Sequence, residues 1–262
     1  MLQNRNIVGS LAAPRIPVMT HTASEPDTSI RKRSGWLIPI VVFLATAGLS
    51  ALLLLYYIAP RPLSFVREPP APVSDTRPVH ISVGGLDLAI PANYVVFASA
   101  RDGGRRSDVA LFALLPNMTG YTPARTRDFA SNAPDSRVIY FLLREDQLDL
   151  REDERFQRIY LAYVENPAGT AAPYGLTEYR FADNSGYRGE DLFVGETAHG
   201  KALFRCVRYS ETVPSPSCLR ELPLANGIAL SYRFKRTYLK DWVAISANVE
   251  KLVRSFIVPA QP

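Results

Sequence analysis

The apolar positions of this chain fall into three patterns. Between Ser34 and Pro60 no charged residue occurs, and from Trp36 to Ala59 the run is apolar on every helical face. At about 1.5 Å per residue it reaches about 36 Å, more than the roughly 30 Å of a bilayer's hydrocarbon core. Apolarity on all faces over that length predicts a membrane span and not a buried core helix. Trp36 at one end and Tyr56 and Tyr57 at the other suit the two interfaces. Pro39 falls in the first turn, where a missing N–H costs little. A cleaved signal peptide has a shorter apolar region and a shorter leader, so the pattern predicts an uncleaved signal anchor.

The second pattern is alternation. Val79, Ile81 and Val83 alternate, Gly84-Gly85 supplies a two-residue turn, and Leu86, Leu88 and Ile90 alternate back, which predicts a hairpin. Pro91 ends that ladder, and Tyr94 to Phe97 is expected to start another strand. Val109–Leu115 and Val138–Leu143 are short apolar runs suited to central strands. Between them, Pro123–Ala130 has room for one or two helical turns. Phe156–Val164 reads as a strand with Ile159, Leu161 and Tyr163 on one face. A Pro/Gly-rich loop follows from Asn166 to Gly175, and shorter strands fit 176–181, 191–195 and 201–209. Ile228, Leu230, Tyr232 and Phe234 alternate with Ala229, Ser231, Arg233 and Lys235, the pattern of a half-buried strand.

The third pattern is helical. Leu239, Trp242, Ile245, Val249, Leu252 and Phe256 recur at steps of three and four, predicting a helix over about 238–257 with its stripe on the core. Asp241 in the first turn and Arg254 near the last suit the helix dipole, and Pro259 closes it. The fold class expected is α+β: an N-terminal transmembrane helix, then a mostly antiparallel sheet with a long C-terminal helix packed on it. The organisation expected is a disordered cytoplasmic tail at 1–34, the transmembrane helix at 35–59, a Pro-rich linker at 60–78, a periplasmic domain at 79–258 and a short tail at 259–262. The linker holds Pro60, Pro62, Pro69, Pro70, Pro72 and Pro78, the composition of a semi-rigid spacer.

Charge refines this picture. The net charge of +5 is uneven. Residues 1–35 carry five basic and two acidic residues, and the remainder is nearly balanced, so the basic excess is poor evidence for a nucleic-acid groove and the balance of the exterior part argues against one. Arg31, Lys32 and Arg33 cluster just before the span, whereas Arg61, Arg67 and Arg77 are dispersed beyond it. The positive-inside rule therefore places the N-terminus in the cytoplasm and the domain in the periplasm of a bacterial inner membrane. Ala47 and Ala51, with Thr46 and Ser50, form a small-residue face that offers a seam for a homodimer.

Both cysteines follow the span. Cys206 lies in a strand-like run, and Ser210–Pro216 is a turn-forming stretch before Cys218. A hairpin there brings the two strands side by side, which predicts a structural disulfide in an oxidising compartment. The C-x-x-C spacing of a redox pair is absent.

The search for chemistry yields no catalytic, cofactor-binding or metal-binding residue. His80 and His199 sit in no ligand spacing, and no nucleophile elbow, P-loop or G-x-G-x-x-G occurs. Asp102-Gly103-Gly104, flanked by Arg101, Arg105 and Arg106, reads as an exposed hairpin tip. Glu145, Asp146, Asp149, Glu152, Asp153 and Glu154 interleave with Arg144, Arg151, Arg155 and Arg158. Asp149 and Asp153, four apart, suit a solvated helix laced with ion pairs.

Asn166-Pro167-Ala168-Gly169 is similar to a turn in the periplasmic assembly-factor subunit of type IV secretion systems. That family's domain opens with helices, and this one opens with a hairpin. A broader resemblance rests on Ile81-Ser82-Val83-Gly84-Gly85, Ile90-Pro91-Ala92-Asn93-Tyr94 and Leu115-Pro116-Asn117-Met118-Thr119-Gly120-Tyr121, with Cys206, Cys218, Tyr232, Trp242 and Phe256. These motifs resemble a group of uncharacterised single-pass envelope proteins of α-proteobacteria. The resemblance implies an inner-membrane protein facing the periplasm and carries over no activity.

The function expected is a membrane-anchored envelope protein with a non-enzymatic, protein-binding or scaffold domain, no cofactor and no nucleic-acid partner. Such a domain should expose an apolar or aromatic patch. The alternative is an envelope hydrolase or carbohydrate-binding protein using carboxylates of the 145–154 region, which needs a cleft where they converge. A transmembrane sensor is a third reading, and its short inner tail would need a partner.

Overall fold

The computed structural model describes residues 35–58, 68–146, 150–198, 200–225 and 227–259. Arg31, Lys32, Arg33, Pro60, Pro62, Asp149 and His199 lie outside the described residues, as do the side chains of Tyr56 and Tyr57. The chain forms two units, Met1–Val66 and Arg67–Pro262.

The first unit contains helix α1, Leu37–Ile58, preceded by an exposed Trp36. It is long and apolar enough to cross a membrane. Its one threonine, Thr46, donates its hydroxyl to the Val42 carbonyl at 2.6 Å, so that side chain is satisfied within the helix.

The second unit is α+β. In chain order it contains β1 (Pro78–Val83), β2 (Leu86–Pro91), β3 (Gly104–Arg106), β4 (Asp108–Leu114), α2 (Thr126–Ala130), β5 (Val138–Glu145), α3 (Glu152–Arg158), β6 (Thr170–Ala172), β7 (Leu176–Arg180), β8 (Glu190–Thr197), β9 (Gly200–Val207), β10 (Ser217–Ala225), β11 (Ile228–Lys235) and α4 (Trp242–Phe256). The eight strands from β4 onward form one antiparallel sheet in the order β4-β5-β11-β10-β9-β8-β7-β6. β1, β2 and β3 form a second, three-stranded sheet. Gly84 and Gly85 both take positive φ, +54° and +89°, which the two-residue turn between β1 and β2 requires.

One core lies between the small sheet, α4 and one face of the large sheet. It joins Ile81, Leu88 and Ile90 to Ile139, Phe141, Leu230, Tyr232 and Phe234, and to Trp242, Ile245, Val249, Val253 and Phe256. Gly195 in β8 lets the Trp242 ring approach the sheet closely, since a Cβ there would meet the ring at 2.6 Å. The opposite face carries two smaller clusters. At the β7–β9 end, Phe156 of α3 and Tyr160 cover Phe181, Leu192, Val194 and Leu203. At the β4–β5 end, Phe129 of α2 and Val96 cover Phe112, Leu114 and Val138.

Several expectations are corrected. Tyr94–Phe97 is no strand: Ala92–Tyr94 is a 3-10 turn after Pro91, and only Val95 bridges to Leu111. β4 is the outermost strand of its sheet and not a central one. Asp102-Gly103-Gly104 is no hairpin tip, because Gly104–Arg106 runs parallel to β1 as β3. Phe156–Val164 is helical, divided between α3 and a 3-10 turn at Tyr160–Tyr163, and it buries Phe156 and Tyr160, four apart, rather than the alternating Ile159, Leu161 and Tyr163. Asn166–Gly175 includes the short strand β6. β11 is buried on both faces except at Arg233, because α4 covers one side and neighbouring side chains fill much of the other. On α4 the fully buried position near the end is Val253, with Leu252 beside it only partly buried.

The Pro-rich stretch meets the domain from Glu68 onward. Glu68 accepts hydrogen bonds from the Ser99 backbone N–H at 2.9 Å and hydroxyl at 2.5 Å, and the Ala71 N–H donates to the Val96 carbonyl at 2.9 Å. Pro70 and Pro72 line an aromatic groove with Phe112, Tyr121, Phe129 and Tyr140.

Two measurements check this arrangement. Cys206 and Cys218 are bonded directly opposite each other on β9 and β10, twelve residues apart in sequence. Replacing both by alanine should lower unfolding free energy in urea by about 3 kcal/mol on the chain-entropy account. The Ser99 hydroxyl first, and its N–H second, hold the Glu68 carboxyl below its ordinary value of 4.5. Its depressed folded pKa means the contact is fully present above pH 4.5 and is lost as pH falls through the lower value. Protease cleavage near residue 68 should therefore accelerate on acidification with an acid-active protease, and Glu68→Gln should remove that pH dependence.

Candidate functional site

The large sheet has a discontinuity at its middle. β9 and β10 pair only at Cys206 opposite Cys218 and Arg205 opposite Leu219. Beyond these the strands part, and the N-terminus of α3 enters the fork. A strand edge left open inside a protein must find other partners for its amides and carbonyls. Here α3 supplies them. Glu152 Oε1 accepts from the Leu203 N–H at 2.9 Å, and Asp153 Oδ1 accepts from the Lys201 N–H at 3.1 Å, both on β9. Arg155 Nη1 donates to the Glu221 carbonyl of β10 at 2.9 Å. The acidic residues also sit in the first turn of α3, where the helix dipole favours them.

Glu152 is answered from β10 by Arg220. Nε of Arg220 donates to Oε1 at 2.9 Å and Nη2 to Oε2 at 2.7 Å, a bidentate pair with both side chains buried. Burial is the largest single effect and works against the guanidinium's charge, but the hydrogen bonds it donates to Glu152 and Tyr232 and the charge of Glu152 together outweigh it, so its pKa is raised. Nη1 of Arg220 donates to the Tyr232 hydroxyl at 3.3 Å, that hydroxyl pairs with Ser246 Oγ at 3.0 Å, and Ser246 donates to the Trp242 carbonyl at 2.7 Å. The chain of bonds thus runs from α3 through β10 and β11 to α4. Burial raises the Tyr232 pKa, so that hydroxyl stays a neutral link.

Above this chain opens a cleft of about 430 Å³. Lys201, Leu222, Trp242, Val243, Glu250 and Arg254 are among the residues lining it. Its charges are mixed: Lys201 pairs with Glu196, and Glu250 lies 4.0 Å from Arg220. A second buried carboxylate, Asp191 on β8, sits opposite Cys206 and accepts from Arg208 at 2.7 Å and from Arg236 at 3.3 Å. It ties the strands flanking the disulfide to the segment leading into α4.

Among the described residues, the carboxylates of the 145–154 region do not converge on open solvent as a reactive pair. Glu152 is buried against Arg220, Asp153 holds a backbone amide, Glu154 is exposed, and Asp146 donates its N–H to the Gly227 carbonyl. The expectation of a wholly solvated block is corrected at Glu152, whose partner lies far away in sequence. Arg101 donates to the Val95 carbonyl and Arg106 to the Ser99 carbonyl, so these two hold backbone in place. His80 is exposed on β1. Asn166-Pro167-Ala168-Gly169 is a closed turn, with the Gly169 N–H bonded to the Asn166 carbonyl at 3.1 Å. Sequence reasoning missed Arg220. Its signal was an arginine at an inward strand position, between Cys218 and Leu222.

Among the described residues, no group of three or more His, Cys, Asp or Glu is placed to hold a metal ion. Fold and site together define an α+β domain in which the buried Glu152, Asp191 and Arg220 are bonded into the fold. No protein-family model matches the chain, and no curated protein matches its sequence. Among solved structures, the fold is similar to that of an immunity protein of the Stenotrophomonas maltophilia type IV secretion system. The TM-score is 0.51 at 16% identity, over 70% of this chain and 94% of that one.

Removing one partner of the buried pair leaves the other charge uncompensated. Arg220→Met should destabilise the domain by about 3–5 kcal/mol in urea denaturation. Combining it with Glu152→Gln should cost less than the sum of the single changes, because the stranded carboxylate is then gone.

Proposed function

We propose that this chain is a single-pass protein of a bacterial inner membrane whose folded part lies in the periplasm and binds another protein there. On this reading Arg31, Lys32 and Arg33 hold the N-terminus in the cytoplasm, and Trp36, Tyr56 and Tyr57 anchor the span at the two interfaces. The proposal includes kinship with the α-proteobacterial envelope proteins that its motifs resemble.

The observation that carries the reading is the fold's likeness to an immunity protein across nearly that protein's whole length. By that analogy the partner is a protein that a secretion system delivers, and the domain works by binding it. Two further features support the reading. The apolar helix and the disulfide suit a membrane-anchored protein exposed to an oxidising compartment. Among the described carboxylates of the 145–154 region on which a hydrolase would draw, Glu152 and Asp153 are bonded into the fold and Glu154 is exposed.

Two experiments test it. Alkaline phosphatase fused after residue 262 should be active in cells, and the same enzyme fused after Arg33 inactive; the reverse would overturn the topology. In-cell crosslinking of the tagged full-length protein should recover one envelope protein in near-stoichiometric amount. Recovery of the chain alone, or only with itself, would overturn the protein-binding reading.

A further inference from the structure

The face of the large sheet opposite α4 is covered at its two ends and open in the middle. The register places Arg205, Leu219, Arg233, Tyr140 and Phe112 in one row across β9, β10, β11, β5 and β4. A second row sets Glu221, Ser231 and Leu142 side by side. The cluster under α3 covers the sheet at the β9 side, and the cluster under α2 covers it at the β4 side. Between them Tyr140 is 47% exposed, Arg233 is exposed, and Leu219 and Leu142 are partly exposed. Next to Tyr140 lies the groove of about 350 Å³ floored by Phe112 and Phe129.

The charges on this strip do not cancel. Arg144 is answered by Glu221 at 3.1 Å and Arg205 by Glu190 at 3.2 Å. Arg233 has no carboxylate partner among the described residues. Lys235, two residues along on the same face, bonds only neutral oxygens, the Asn132 side chain at 2.7 Å and the Ser215 carbonyl at 3.2 Å. Burial lowers the Lys235 pKa, and the charge of Arg233 adds to that, as expected of neighbouring cations with no counter-charge. Arginine and tyrosine interleaved with leucine is the composition of a protein-binding centre.

We propose that this strip, centred on Arg233 and Tyr140, docks an acidic segment of the partner protein. The inference rests on the protein-binding reading above and assigns its surface. The exposed Arg233 supplies the complement to the segment's carboxylates, with the buried Lys235 adding its charge from beneath, and Tyr140 with Leu142 and Leu219 receives its apolar side chains. The covered ends stand above the strip on both sides, a shape that admits a polypeptide and not a bilayer plane.

The test uses the full-length protein in cells, with a photocrosslinking amino acid at position 140 or, on the opposite face, at Val243, which is 61% exposed. An adduct at 140 to one envelope protein is expected, and the crosslinked peptide should be rich in Asp and Glu. Arg233→Glu should reduce that adduct about tenfold or more, Arg233→Lys should retain it, and lysine at the mapped acidic position of the partner should restore it to Arg233→Glu. Unchanged abundance and thermal transition of Arg233→Glu separate this effect from misfolding. A protein adduct only at 243 would overturn this surface and leave the protein-binding reading standing. A lipid adduct at 140, or a protein adduct there indifferent to Arg233→Glu, would overturn the acidic-segment assignment. No protein adduct at either position would overturn both.

Discussion

The domain depends on how α3 closes the fork between β9 and β10. A continuous antiparallel ladder satisfies its own amides and carbonyls, but this sheet changes from main-chain pairing to side-chain pairing at its centre. Glu152 and Asp153 take up the amides of Leu203 and Lys201, and Arg155 takes up the carbonyl of Glu221. The disulfide at one end of the seam and the Glu152–Arg220 pair at the other hold the two halves of the sheet together. Each cluster on the far face then has its place: one under α3 itself, one under α2.

This arrangement explains where the most conspicuous charges of the chain are spent. Buried carboxylates often signal function, because environments that perturb ionisation are those chemistry exploits. Here the bidentate geometry, the hydrogen bond onward to Tyr232 and the amide of Leu203 occupy Glu152 with structural partners. Asp191 is likewise held by Arg208 and Arg236. Arg233, with no carboxylate partner among the described residues, lies on the other side of the sheet, on the strip left between the two covered ends, and Lys235 is buried beside it on neutral oxygens.

Much of the fold was legible because it rests on periodicity. The glycine pair between Val83 and Leu86, the apolar runs of β4 and β5 and the stripe of α4 each carry a local signal that packing only confirms. The membrane-length helix is legible for the same reason, since an all-round apolar surface needs no partner to be read. The region around α3 was not legible. Ile159, Leu161 and Tyr163 alternate as a strand would, yet Phe156 and Tyr160 are what the neighbouring strands bury. Whether α3 is solvated or inserted depends on Arg220, and nothing in a run of alternating acids and bases says which acid meets it. Glu152 stands four residues before Phe156, on the same helical face, which is the local trace of its burial. The place of β4 at the sheet's margin is another property of topology and not of composition.

The seam also sets how this protein can change over time. A main-chain ladder tolerates substitution because every residue brings the same amide and carbonyl, so the strands of either half-sheet can drift one position at a time. The fork has no such freedom: Glu152, Asp153, Arg155 and Arg220 each contribute a particular functional group, and the cysteines contribute only as a pair. Lineages descending from this chain should therefore vary freely around the seam while inheriting those six positions as a block, or lose the joined sheet altogether.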